Sequence, residues 1–177
     1  MSDKIEISPY DDEWPEHFKS EAQYLMSTLP QDILLEFHHI GSTAIPEMPA
    51  KPIIDIGVMI TDYDDATQKL IPELKKSGYE HLAEASENEN RILFVKRDEN
   101  KNRTHHIHFC EEEEPFWDCL YFREYLKKHE HEARNYFELK MALAKQFPDD
   151  REAYTNGKSE YIKRITEIAK KELDEFI

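Results

Sequence analysis

Glycine and cysteine are scarce in this chain, and their scarcity excludes several classes of site. The 177 residues include 4 glycines and 2 cysteines. So few glycines exclude the Gly-rich phosphate loops of dinucleotide-binding and P-loop proteins, and the Gly-x-Ser-x-Gly turn of serine hydrolases is missing too. Cys110 and Cys119 lack zinc-like spacing, so we interpret them as reduced thiols of a cytoplasmic protein.

Long apolar runs and basic residues are also scarce. No apolar run approaches the roughly 20 residues of a membrane span, and the N-terminal residues lack the features of a signal peptide. With 23 Lys and Arg against 38 Asp and Glu, the net charge is −15. Because this charge repels nucleic-acid backbones and anionic membranes, we expect neither as a partner. We expect the acidic run 111–114 to be a solvated loop.

The order of predicted elements indicates one α+β domain over residues 1–177. With 39% hydrophobic and 34% charged residues, the composition is that of a globular protein. Apolar alternation and apolar runs predict strands at 5–7, 33–40, 53–60, 79–82, 92–96 and 104–110, with a hairpin turn at 98–102. Helical spacing predicts a helix that ends at Pro30, another over 62–77, and a helical stretch after Pro115. We therefore predict a mixed sheet flanked by helices in 1–114 and a helical third in 115–177.

A Gly-Ser turn near a buried acid is the most informative pattern in the chain. The segment His39-Ile40-Gly41-Ser42-Thr43 ends a predicted strand. Such a turn offers phosphate a close backbone approach, N–H groups and a hydroxyl, so Gly41, Ser42 and Thr43 are candidate phosphate-binding residues. On its own the turn is weak support, since similar turns commonly end strands.

Asp55 strengthens the hypothesis of a site. It lies in the nearly apolar segment 53–60, where a carboxylate is costly unless it is paired or bound to a metal. An ion pair with Lys51 or Arg91 would explain it, and so would contact with a metal or ligand. Gly57 lies on the same face of the predicted strand but supplies no ligand.

Two histidines form a second candidate cluster. In Thr104-His105-His106-Ile107-His108-Phe109, strand alternation places His106 and His108 on one face and His105 on the other. Two imidazoles in this spacing suit a metal or a phosphate. Partly buried histidines satisfied by their neighbours would give the same pattern.

The few basic residues complete the candidate site. Lys51 precedes the Asp55 strand, Arg91 begins a strand, and Lys158 lies near the start of the last helix. Each could reach a phosphate. For each one taken singly, a surface ion pair is the simpler explanation.

These segments resemble the GrpB family, a set of small proteins placed in the nucleotidyltransferase superfamily. The resemblance covers nearly the whole chain. It is carried by Pro9-Tyr10, Trp14-Pro15, Phe18, Glu21, the stretches 39–46 and 50–56, Arg91, the stretch 104–108, the stretch 122–126, Tyr136, Leu139-Lys140, the stretch 151–155 and Lys158. Members of the family also occur fused to dephospho-coenzyme A kinase, which suggests a role in nucleotide or cofactor metabolism.

The resemblance implies a nucleotidyltransferase-like fold and a site centred on Asp55. The superfamily pattern is a Gly-Ser turn, a strand with acid-x-acid, and a third acid on a later strand. Gly41, Ser42 and Asp55 match it, and Ser42 and Asp55 become the catalytic candidates. The second acid is replaced by Gly57, and the third falls on His106 or His108.

The function expected from the resemblance is binding of a nucleotide with one divalent cation, Mg²⁺, Mn²⁺ or Zn²⁺. Asp55, His106 and His108 would hold the cation, and a nucleotidyl group would pass to a small acceptor. Two other functions stay open. One is a non-catalytic binding or regulatory module on the same fold, and the other is a metal-dependent hydrolase that uses the histidine pair.

Overall fold

Strands of both directions form one sheet in the first two thirds of the chain. The fold is that of a computed structural model, which describes residues 4–83, 91–111 and 114–173. The strands of this part are β1 (Leu34–Ile40), β2 (Ile54–Ile60), β3 (Glu80–His81), β4 (Ile92–Arg97) and β5 (Arg103–Cys110). They lie in the order β1-β2-β5-β4-β3, and β2 runs parallel to β5 while the other neighbours are antiparallel. The predicted mixed sheet is confirmed.

Helices flank the sheet and make up the C-terminal third, as predicted. They are α1 (Trp14–Thr28), α2 (Tyr63–Lys76), α3 (Glu114–Lys128), α4 (Glu130–Gln146), α5 (Arg151–Asn156) and α6 (Ser159–Leu173). Among the described residues, no helix is both long and apolar enough to cross a lipid bilayer. The acidic run 111–114 falls partly outside the described residues, although Glu111 accepts a hydrogen bond of 2.7 Å from the first amide of α2.

The prediction of a strand at 5–7 is wrong. Ser8 and Ala50 form an isolated bridge, and the Ile5 amide donates to the Pro148 carbonyl at 2.8 Å. Alternation at these positions reflects the burial of Ile5 against α4 and α5. The strand predicted at 79–82 is also shorter than expected, since only two of its residues belong to β3.

The two faces of the sheet differ in chemistry. One face carries Ile54, Ile56 and Val58 of β2, which pack with Leu25 of α1 and Leu70 of α2. Burial of each such side chain contributes roughly 1.5–3 kcal/mol, so this face forms the main apolar core. The opposite face is only partly apolar and is the face on which the candidate site lies.

The C-terminal helices hold the loop that follows the Gly-Ser turn. Ile45 and Met48 of this loop are buried in a cluster with side chains of α3, α4 and α6, among them Tyr136 and Ile165. This packing fixes the loop, which then leads through Lys51 into β2. The second half of the chain therefore positions residues that belong to the first half.

Candidate functional site

Gly41 allows the Gly-Ser turn to lie against the side chain of Asp55. Its φ is 72°, in the left-handed region that favours glycine. A Cβ atom on Gly41 would overlap Oδ2 of Asp55 and would lie 3.1 Å from its Cγ. The turn continues as a 3₁₀ segment, Ser42–Ala44. The structure therefore brings Gly41, Ser42 and Asp55 together.

Thr43 holds the turn in place. Its side chain is buried, and the hydroxyl donates to the Ile53 carbonyl at 3.4 Å while lying 3.0 Å from Nε2 of His39. Ser42 instead lies beside the Tyr136 phenol, whose pKa is raised by burial and lowered by the serine hydroxyl. Phosphate binding by Thr43 stays a prediction, and its hydroxyl does not support it.

Asp55 lies between the two predicted imidazoles. The parallel register of β2 and β5 pairs Asp55 with His106 and Gly57 with His108. Oδ1 of Asp55 is 2.9 Å from Nδ1 of His106 and 3.7 Å from Nε2 of His108. The side chain of Asp55 is 28% exposed, and those of the two histidines are each 16% exposed. The three side chains therefore form one cluster that solvent can reach.

Glu21 shows how a structural acid in this fold differs from Asp55. Glu21 has a side chain that is 7% exposed, and it accepts hydrogen bonds from the Tyr79 hydroxyl and, at 2.5 Å, from the Lys96 ammonium. The contacts of Asp55 are imidazoles rather than the basic partners considered from the sequence. Asp55 is therefore not the sealed half of a lysine or arginine ion pair.

The partners of the histidines indicate how they are protonated. Nη1 of Arg91, which can only donate, is 2.9 Å from Nδ1 of His108. Nδ1 of His108 must therefore accept, so in the neutral ring Nε2 carries the proton towards Asp55. In His106, Nδ1 faces the carboxylate and donates, which leaves Nε2 buried and, within the described part of the chain, without a hydrogen-bond partner.

This arrangement keeps the Asp55 carboxyl ionised. Burial raises its pKa, but hydrogen bonds and charge from His106 and His108 outweigh that effect and hold the pKa well below its usual range. Burial also lowers the pKa of His108, against the opposing effect of Asp55, and the Arg91 charge lowers it further. The cluster thus presents an ionised carboxylate beside two imidazole rings, and both are ligand types that bind divalent metals.

The cluster has dimensions that suit one metal ion. One donor atom from each of Asp55, His106 and His108 lies within 4.8 Å of the others. Donor atoms bound at about 2.0–2.2 Å in a tetrahedral site lie roughly 3.4 Å apart. Small movements of the three side chains would therefore bring their donor atoms to the spacing that a bound metal requires. His108 would have to release its Nε2 proton and take one on Nδ1, which faces the donor Arg91. The residues fit a cation, with Arg91 as a competitor for His108.

A second carboxylate has no room in this site. A Cβ atom on Gly57 would lie 3.1 Å from Cε2 of Phe116 and 3.4 Å from Cδ1 of Ile40. The ring of Phe116, from α3, therefore lies against the place where the side chain of a second acid would begin. The geometry therefore favours one cation over two.

Three lysines converge near Asp55. Nζ of Lys51 and Nζ of Lys158 lie 5.0 Å and 4.6 Å from the ring centroid of Tyr154. Lys140 is 2% exposed, and its Nζ donates to the Pro49 carbonyl at 2.7 Å. Burial lowers the pKa of both Lys51 and Lys158, and the Asp55 carboxylate opposes this effect in both. Lys51 and Lys158, predicted from sequence, therefore lie in the same region as the acid.

Sequence reasoning did not single out Lys140. A signal was available, because Lys140 lies four residues after Tyr136 and three before Leu143, and these three form the buried face of α4. A lysine in an apolar helical row is unusual unless its charge has a role or a partner. Arg91, predicted to bind phosphate, contacts the ring of His108 in this structure.

Comparison with known proteins places the chain in a family. The GrpB protein family matches residues 4–168. The chain belongs to the GrpB family. It is similar to the crystal structure of conserved protein GrpB from Enterococcus faecalis, with a TM-score of 0.84 and 33% identity over 96% of this chain and 100% of that one.

Several curated proteins are relatives of this GrpB chain. It is 41% identical over 168 residues to a UPF0157 protein of Pseudomonas aeruginosa and 38% identical over 172 residues to the UPF0157 protein YqkA of Bacillus subtilis. It is 31% identical over 164 residues to the glutamate-rich protein GrpB of Alkalihalophilus pseudofirmus, 94% of which is covered. The chain spans 66% of the P. aeruginosa protein and 48% of the B. subtilis protein.

Proposed function

We propose that this protein binds a nucleotide or a similar phosphorylated small molecule together with one divalent cation. The observation that carries the proposal is the cluster of Asp55 with the imidazoles of His106 and His108, with the Gly41-Ser42 turn against the Asp55 carboxylate. Divalent cations and phosphates occur together in such sites, because the cation neutralises charge on phosphate oxygens.

Each residue has a distinct part in the proposed site. Asp55 with His106 and His108 holds the cation, which is Mg²⁺, Mn²⁺ or Zn²⁺. The backbone from Gly41 and the hydroxyl of Ser42 hold phosphate. Lys51, Lys158 and Arg91 move towards the ligand and offset the phosphate charge.

The fuller form of the proposal is transfer of a nucleotidyl group to a small acceptor, in line with the nucleotidyltransferase superfamily suggested by the sequence resemblance. A bound cation would supply charge neutralisation at the transferred phosphoryl group. The chain itself would position the phosphates through the Gly-Ser turn and exclude water with the α3 and α4 side chains around it. Phe116 over Gly57 limits this chemistry to one cation.

Calorimetry tests the proposal. Nucleoside triphosphates are titrated into the protein with Mg²⁺, Mn²⁺ or Zn²⁺ and again in EDTA. We expect cation-dependent binding that Asp55→Asn weakens by roughly tenfold or more, the effect of losing a charge-assisted contact. Glu36→Gln is the matched control, because Glu36 contacts His38 at 2.8 Å in an exposed carboxylate–imidazole pair away from the turn.

Two outcomes separate the parts of the proposal. Failure of every nucleotide to bind under every condition would remove the proposal entirely. Binding without turnover across a panel of small acceptors would keep the binding function and remove nucleotidyl transfer.

A further inference from the structure

We infer that Lys51, Lys140 and Lys158 form a second anion site, which holds a phosphate group beyond the one next to Asp55, so that the ligand is a polyphosphate ester. This inference rests on the proposed function for the position of the first phosphate. It adds that the ligand carries at least two phosphate groups, and it gives Lys140 a part in binding the second one.

The three ammonium groups come from separate elements and meet around two tyrosines. Lys51 precedes β2, Lys140 lies on α4, and Lys158 lies between α5 and α6. The first and the last lie within 5.0 Å of the Tyr154 ring centroid, and Lys140 Nζ lies 5.0 Å from the Tyr136 ring centroid. Tyrosine rings stabilise nearby cations but cannot neutralise them.

The lysines lack the carboxylates that buried cations normally have. Among the described residues, no carboxylate oxygen lies within 4.0 Å of Nζ in any of the three. Other partly buried lysines of this chain are paired: Lys96 with Glu21 at 2.5 Å and Lys170 with Asp118 at 2.7 Å. Burial of an ammonium without a carboxylate partner is unfavourable, because the group loses its hydration.

The surroundings of the three lysines in the described part of the chain contrast with the acidic composition of the whole protein. The chain carries 38 acidic residues against 23 Lys and Arg, yet none of those in the described part lies at ion-pair distance from the three lysines. A site that concentrates positive charge within an acidic protein is suited to an anion from outside the chain. Phosphate is a suitable anion, since each ammonium can donate several hydrogen bonds to its oxygens.

The position of Asp55 relates this site to the first one. Its carboxylate acts electrostatically on both Lys51 and Lys158. A phosphate at the lysines and a phosphate at the cation would therefore be neighbours in one ligand. We expect a ligand with two phosphate groups, rather than a single phosphate, to occupy both places.

Proton uptake is a signature of this site. Burial, followed by repulsion from neighbouring cations, lowers the pKa of Lys51 and of Lys140 to about 7 in each case. A bound phosphate favours the charged ammonium and raises these pKa values. Binding at pH 8 should therefore take up protons, and binding at pH 6, where both groups are already charged, should take up few.

The test uses inorganic pyrophosphate and orthophosphate as probes, titrated calorimetrically in EDTA. We expect pyrophosphate to bind without metal and Lys158→Met or Lys51→Met to weaken it by roughly tenfold to a hundredfold, the loss of one charged hydrogen bond. Lys163→Met is the matched control, because Lys163 is an exposed lysine on α6. Lys158→Arg should keep the affinity within a few fold.

Further arms separate this inference from the proposed function. Asp55→Asn should keep pyrophosphate binding in EDTA, since it removes a repelling charge, and should lose the gain that Mn²⁺ gives. Mn²⁺ should strengthen pyrophosphate binding more than orthophosphate binding, because only pyrophosphate reaches both sites. If the metal effect is missing while the lysine effect stays, the proposed cation site fails and the anion site stands.

The inference is overturned if pyrophosphate affinity in EDTA is the same in wild type, Lys51→Met and Lys158→Met, or if none of them binds. Proton uptake in the wild type, measured from binding enthalpies in buffers of different ionisation enthalpy, needs no variant to fold. An uptake at pH 8 no larger than that at pH 6 would also overturn it.

Discussion

A second acid at Gly57 should destabilise the protein unless Phe116 is removed. The perturbation is Gly57→Asp, whose new Cβ would lie 3.1 Å from Cε2 of Phe116, closer than ordinary contact. Overpacking of this kind costs about 1–3 kcal/mol, and a carboxylate forced next to an aromatic ring and near Asp55 adds a desolvation cost. We expect a loss of roughly 2–4 kcal/mol in the free energy of unfolding.

A double-mutant cycle identifies Phe116 as the cause. Phe116→Ala alone should cost about 3–5 kcal/mol through the cavity that it leaves. In the double variant the new carboxylate occupies that space, so the combined loss should fall short of the sum by about 1 kcal/mol or more. Urea unfolding gives the free energies, and unchanged m-values show that the variants unfold in the same way.

The same cycle carries a functional readout. Gly57→Asp alone should gain no affinity for Mn²⁺, whereas the double variant should bind Mn²⁺ more tightly than wild type because two carboxylates then face one cation. Gly57→Ala is the control that adds the Cβ without the charge. Additive stability losses, within about 0.5 kcal/mol, would refute the reasoning that Phe116 excludes the acid.

Three other perturbations test single features of the site. The free energy of unfolding should rise from pH 7 to pH 9.5, because Lys51 and Lys140, each with a pKa of about 7 when folded, bind more protons when unfolded. Lys140→Met should make this rise smaller in urea titrations. Gly41→Ala should cost about 1–3 kcal/mol and weaken cation binding, because it strains φ and displaces Asp55. Burial lowers the pKa of His39 to about 4, so stability should fall from pH 6.5 to pH 4, and less steeply in His39→Gln.

The elements around the site could be predicted because their signals are local. The apolar run of β2 identified a buried strand, and alternation put His106 and His108 on one face. What alternation could not supply was the register that sets His106 beside Asp55. That register depends on the packing of both sheet faces, which involves residues far apart in the sequence.

The parts that escaped prediction depend on long-range contacts. Phe116 was recognised as an apolar helical residue, but its place over Gly57 follows from how α3 lies on the sheet. Lys140 lies among apolar neighbours on α4, and its meeting with Lys51 and Lys158 follows from the fold. Ile5 alternates like a strand residue, yet its burial against the C-terminal helices produced that pattern.

Pulsed electron paramagnetic resonance of Mn²⁺ bound with pyrophosphate tests the central claim most directly, since it identifies the nuclei next to the cation. The account predicts ¹⁴N couplings from imidazole together with ³¹P coupling from the ligand, and loss of the ¹⁴N couplings in Asp55→Asn. A wild-type spectrum without imidazole ¹⁴N coupling at saturating protein and pyrophosphate, unchanged in Asp55→Asn, would contradict it.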